Sequence, residues 1–164
     1  MARRVTLLLT FVEGVLFRTK RFEADYRYTT SFLSASLADE IVMVDVTPGE
    51  RQGPAFRRVV REYVERAHLP VVAGGGIRRI EEARRLFDEA GADRVVLNRL
   101  AWHSRGAVGA LVGRYGSQAV VVGIDIGTDG EAVPGSGAPA DRAALAEGEG
   151  AGEILLNSVR RDGS

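Results

Sequence analysis

Three consecutive glycines, Gly74, Gly75 and Gly76, follow the apolar run Leu69-Pro-Val-Val-Ala73 and precede a helical pattern from about Ile80 to Ala90. A glycine run at such a place lets backbone N–H groups approach a phosphate closely, and the next helix N-terminus adds a favourable dipole. The same run equally suits a plain tight turn from strand to helix. It lacks the Lys-Ser/Thr ending of a nucleotide P-loop. Four other apolar runs end on polar side chains, Asp45, Asn98, Asp125 and Asn157. Such residues either reach into a site or bond to nearby backbone at strand ends. The histidines offer less, since His68 ends a helical pattern and His103 follows Trp102 in a loop; both read as surface or cap residues. No spaced His/Asp/Glu cluster suggests a metal, there is no cysteine, and no cofactor is expected.

The elements that must position these groups are short β-branched runs alternating with helical patterns, the mark of parallel strands buried on both faces. The strand pattern covers Arg4 to Thr10, Glu40 to Asp45, Leu69 to Ala73, Arg94 to Asn98, Gln118 to Asp125 and Glu153 to Asn157. Helices are expected near Thr30 to Leu37, Phe56 to Ala67, Ile80 to Ala90, Gly106 to Tyr115 and Asp141 to Glu147. A turn at Glu13-Gly14 opens an irregular stretch, and a Gly- and Pro-bearing stretch runs from Gly127 to Pro139. Six strands are visible with no helix after the last, in a chain of 164 residues that reads as one domain.

Composition narrows the function. Basic and acidic residues balance at 22 each, so no charge excess attracts nucleic acid or an anionic membrane. No apolar run approaches the roughly 18 residues needed to cross a bilayer, and no charged-then-apolar leader is visible. We expect a cytoplasmic protein that takes a small molecule or a protein partner.

The stretch 39–44 echoes 152–157, and 5–10 echoes 120–125. Echoes more than about 100 residues apart suggest duplicated half-barrels, because solenoid repeats recur every ~20–50 residues. More specifically, the segments VVAGGGIR (71–78), AGADRVVLN (90–98), YGSQAVVVGID (115–125) and GAGEILLNS (150–158) resemble, in order, signature segments of the imidazole glycerol phosphate synthase cyclase subunit family. The likeness is weakest over 11–38, where LFRTKRF (16–22) is also similar to related proteins that help amidinate surface sugars. The resemblance implies an α/β fold, an incomplete (β/α)8 TIM barrel of about six parallel strands lacking the last two βα units. A complete barrel takes roughly 250 residues.

The family's reaction brings ammonia from a glutaminase subunit through the barrel to a ribosyl-carboxamide nucleotide. Two strand-end aspartates serve there as general acid and base. Asp125 matches one of them, whereas Thr10 stands at the other and cannot act as a base near neutral pH. The family's loop lysine is Arg18 here, a permanent cation, and a final-loop acid is Arg160. Gly75, Gly76 and Asn98 match the binder of one phosphorylated end of the substrate, and Asp45, Asn157 and Asp162 match further substrate positions. At the opposite end Arg4, Glu40, Arg94 and Glu153 match a ring of gate charges, with Asp93 at the partner-facing surface. Charged residues that merely end strands at solvent are the plain alternative.

The expectations are a cyclase-like lyase of histidine biosynthesis with impaired or no turnover, or a degenerate barrel fragment that binds phosphate or self-assembles. Open edges on the first and sixth strands would further call for a homo-oligomer, because unpaired strand edges invite pairing with another chain.

Overall fold

The computed structural model describes residues 4–20, 23–27, 38–49, 51–133, 135 and 137–161. Its strands are β1 (Thr6–Val12), β2 (Val15–Lys20), β3 (Glu23–Arg27), β4 (Glu40–Asp45), β5 (Val71–Gly74), β6 (Arg94–Leu97), β7 (Val120–Ile126), β8 (Ala132–Val133) and β9 (Glu153–Ser158). The helices are α1 (Pro54–Arg66), α2 (Ile80–Asp88), α3 (Arg99–His103), α4 (Ala107–Tyr115) and α5 (Pro139–Gly148). β1, β4, β5, β6, β7 and β9 pair side by side in parallel, in chain order. The result is an α/β fold whose curled sheet forms part of a barrel.

Strand alternation divides the apolar residues between two faces. Leu9, Ile41, Val71, Val95 and Val120 face the helices, in a core that includes Phe56 and Val60 of α1 and Leu86 of α2. The other face carries a smaller cluster of Val42, Val72, Val96 and Val121. α1 shows why its sequence becomes a docked helix. Proline at its start needs no N–H partner, and Phe56, Val60 and Tyr63 recur on one buried face. Phe11 of β1 meets Phe56 and Tyr63 edge-on, at 5.8 and 6.1 Å between ring centres.

Several expectations need correction. The stretch after Glu13-Gly14 is not irregular, because β2 folds back antiparallel on β1 and β3 on β2. Glu13 and Gly14 have φ of 49° and 77°, the doubly left-handed turn whose twist suits a two-residue hairpin. The first strand's edge is therefore not open throughout, since Thr10, Phe11 and Val12 pair with β2. β9 pairs only with β7 among the described residues. His103 lies not in a loop but at the end of α3, a five-residue helix directly after β6. The Gly- and Pro-bearing stretch contains β8, antiparallel to the end of β7. The expected helix over residues 30–37 falls outside the described residues. Among those described, no helix is long and apolar enough to cross a membrane.

Candidate functional site

The face opposite the helices opens, at the C-terminal ends of the parallel strands, into a pocket of about 370 Å³. That volume lies within the usual range for small-molecule sites, about 300–1,000 Å³. Gly75, Gly76, Asn98, Asp125 and Asn157 all line it, although they come from four strand ends spread along the chain. Register explains the meeting. Asp125 pairs directly with Asn157, and both side chains fall on the concave face of neighbouring strands. Asn157 Nδ2 donates to Asp125 Oδ1 at 3.1 Å, and Asn98 Nδ2 donates to Asp125 Oδ2 at 2.5 Å. Two amides from the flanking strands thus fix the orientation of one carboxylate, while the buried Asn98 Oδ1 has no hydrogen-bond partner among the described residues. A carboxylate so held can exchange a proton with a bound molecule.

The glycine turn is shaped by contacts that leave no room for a side chain. A Cβ on Gly74 would lie 2.4 Å from a Val96 methyl, and one on Gly75 would lie 2.2 Å from the carbonyl oxygen of Asp45. Gly75 and Gly76 also have φ of 97° and 67°, in the left-handed region that glycine enters freely. The buried Gln52 braces the turn, its Nε2 donating to the carbonyl of Gly74 at 2.9 Å and to that of Gly75. Gln52 is held in turn by Asp45, whose carboxylate accepts from the backbone N–H groups of Thr47 and Gln52 at 2.9 and 2.7 Å. Asp45 is 1% exposed and does not line the pocket. Its neighbour Val44 does, because alternation sends adjacent strand residues to opposite faces.

Thr10 is also outside the pocket lining; it is 5% exposed, and its hydroxyl donates to the carbonyl of Phe17 across the β1–β2 hairpin at 2.5 Å. Arg18 lies in β2 and does not line the pocket, and Asp162 falls outside the described residues. Three arginines that the sequence reading did not single out surround the glycine turn: Arg51, Arg78 and Arg99. Burial lowers the pKa of the Arg51 guanidinium against the pull of Asp45, and the positive charges of Arg78 and Arg99 lower it further. Their convergence left no trace in spacing, since Arg51 and Arg78 lie in the loops after β4 and β5 and Arg99 opens α3 after β6. Among the described residues no group of three His, Cys, Asp or Glu side chains is placed to hold a metal ion.

At the other end of the strands the four charges Arg4, Glu40, Arg94 and Glu153 come together. Arg94 reaches Glu40 at 2.6 Å and Glu153 at 2.7 Å, and Arg4 reaches the same Glu153 oxygen at 2.7 Å. The Arg4–Glu153 contact brings the start of the first parallel strand to the start of the last, across the curl of the sheet. Asp93 is exposed, and its carboxylate accepts from the Val71 backbone N–H at 2.8 Å, tying the starts of β5 and β6 together.

This cluster makes a pH prediction. Burial alone would raise the Glu153 carboxyl, but hydrogen bonds from Arg94 and Arg4, with their charges, outweigh it and hold the group below its ordinary 4.5. A carboxyl depressed in the folded state stabilises above its unfolded value, and that contribution disappears as pH falls through the folded value. Urea midpoints measured between about pH 6 and pH 3 should therefore fall with acid, and fall less steeply in Glu153→Gln. Equal slopes for the two proteins would contradict the assignment.

Comparison with known proteins adds to this geometry. Residues 8–164 match the protein family described as histidine biosynthesis protein. The chain is 35% identical over 162 residues to the imidazole glycerol phosphate synthase subunit HisF of Dictyoglomus thermophilum, across 93% of this chain and 64% of that protein. It is 36% identical over 162 residues to the subunit of the same name from Acidobacterium capsulatum, with the same two coverages. The chain thus spans about 64% of the length of these relatives.

Proposed function

Because this chain belongs to the histidine biosynthesis protein family, we infer that it is a cyclase-type barrel of the imidazole glycerol phosphate synthase kind. It keeps the binding of a phosphorylated small molecule, and its ammonia-dependent lyase turnover is impaired. The observation that carries this is the shared pocket of Gly75, Gly76, Asn98, Asp125 and Asn157, with Thr10 bonded elsewhere. The glycine turn and its arginines suit a phosphate, since backbone N–H groups and guanidiniums favour a dianion. Asp125 supplies one of the two proton-transfer groups the reaction needs. The first-strand position supplies a hydroxyl that stays protonated near neutral pH and is committed to the Phe17 carbonyl. A degenerate barrel that only binds phosphate or self-assembles is the second reading, and that commitment of Thr10 favours it.

Partners follow from the same reading. A glutaminase would deliver ammonia at the charged end, and a second copy would cover the outer edge of β9, in a cytoplasmic assembly without nucleic acid or membrane.

Calorimetric titration with a sugar phosphate should give saturable binding that Gly76→Val abolishes. Turnover of the family's nucleotide substrate with ammonium salt should be slow and vanish in Asp125→Asn; binding without any turnover selects the phosphate-binding reading. Failure to bind phosphate esters at millimolar concentration overturns the cyclase reading and the phosphate-binding form of the second, leaving only self-assembly. Light scattering on the same preparation should give a mass above the 17.7 kDa of one chain.

A further inference from the structure

A second concavity, about 810 Å³, lies outside the glycine turn and is walled by the first turns of α1 and α2. Five of its eleven lining residues are arginine, Arg51, Arg57, Arg78, Arg79 and Arg85, against one carboxylate, Glu82. That carboxylate is already engaged: it pairs with Arg79 at 2.9 Å and accepts from the backbone N–H of Arg78 at 2.7 Å. Arg57 is paired with Glu89 at 3.0 Å. Arg51, Arg78 and Arg85 have no carboxylate partner among the described residues. In a chain of zero net charge, three guanidiniums without a carboxylate ion pair on one wall, of which Arg51 feels the pull of Asp45, form a local positive field that an anion relieves.

This groove is continuous with the inner pocket, because Gly49, Arg51, Gly76 and Arg78 line both. Arg51 stands on the shared wall. Its Nε donates to the Thr47 carbonyl at 2.9 Å, and its Cδ lies where a Gly76 side chain would be. That one hydrogen bond places the exposed Arg51 side chain beside the glycine turn. Guanidinium forks bind phosphoryl oxygens in pairs, and each anchored arginine loses less freedom on binding.

We propose that the arginine groove is a second anion subsite, contiguous with the inner pocket, and that the site takes a ligand bearing two adjacent phosphoryl groups. One phosphoryl sits at the Gly75–Gly76 turn and the other between Arg78 and Arg85. The proposal rests on the reading of the inner pocket as a phosphate site.

The test uses inorganic phosphate, inorganic pyrophosphate and a nucleoside diphosphate as probes, titrated calorimetrically into the whole chain. Pyrophosphate should bind about tenfold more tightly than phosphate, the effect of one further charge-assisted contact. Arg85→Glu changes an exposed helix position outside the inner pocket, so the fold and phosphate affinity should be kept while the pyrophosphate advantage is lost. If the nucleoside diphosphate equals or exceeds pyrophosphate, a diphosphate ester is the ligand class; if phosphate and pyrophosphate bind and the nucleoside diphosphate does not, the free anion is. Phosphate binding with no pyrophosphate advantage, or an advantage that survives Arg85→Glu, overturns the second subsite and leaves the inner pocket intact. No phosphate binding at all overturns the reading of the inner pocket, and this proposal with it.

Discussion

Gly75→Ala should destabilise the protein by more than about 3 kcal/mol, a large share of the roughly 5–15 kcal/mol usual for a folded domain. The new Cβ would sit 2.2 Å from the Asp45 carbonyl oxygen and 2.5 Å from its nitrogen. Both atoms belong to β4 backbone, which cannot move without breaking its pairing to β1 and β5. A φ of 97° adds strain that no rotamer relieves. Gly76→Ala is the informative control. Its Cβ would also lie 2.2 Å from a neighbour, but that neighbour is Cδ of Arg51, a long side chain that can turn away. The expected cost there is about 1 kcal/mol of left-handed strain, together with loss of the Arg51 position and weaker phosphate binding. Urea denaturation of the two variants checks this directly. If Gly75→Ala melts within 1 kcal/mol of Gly76→Ala, the close approach of the turn to β4 is wrong.

Arg94→Ala should cost about 3–5 kcal/mol, the usual penalty for removing one partner from a buried ion pair. Arg94 is 11% exposed and Glu40 only 4% exposed, so the substitution strands the Glu40 carboxylate where water cannot solvate it. Glu153, 34% exposed and still reached by Arg4, should suffer much less. Replacing the pair together, Glu40→Leu with Arg94→Leu, should recover most of the loss, because desolvation of two charges commonly offsets their attraction. Four denaturation curves, with Glu40→Leu and Arg94→Leu as the single variants, complete the cycle, and additive costs for these two would show that Glu40 and Arg94 do not depend on one another. On that outcome the cluster contributes little net stability relative to an apolar replacement.

The parallel strands were legible because β-branched runs of the right length recur between helical patterns, and β4 begins and ends where its residues indicate. The hairpin of β2 and β3 was not. Its residues mix charge and bulk, and only the left-handed pair Glu13-Gly14 marks where β2 folds back on β1. α3 was missed because five residues are too few for a helical period to declare itself.

For the candidate site, the order and chemistry of the strand-end residues lay in the sequence by itself: glycines after β5, an amide after β6, a carboxylate on β7 and an amide on β9. Only the tertiary structure decided which of them look inward. A strand side chain changes face at every step, so the phase set by register sends Asp125 and Asn157 into the pocket and turns Asp45 into the loop beside it. The same physics hid the arginines, because Arg51, Arg78 and Arg99 meet through the curl of the sheet, which no local pattern records.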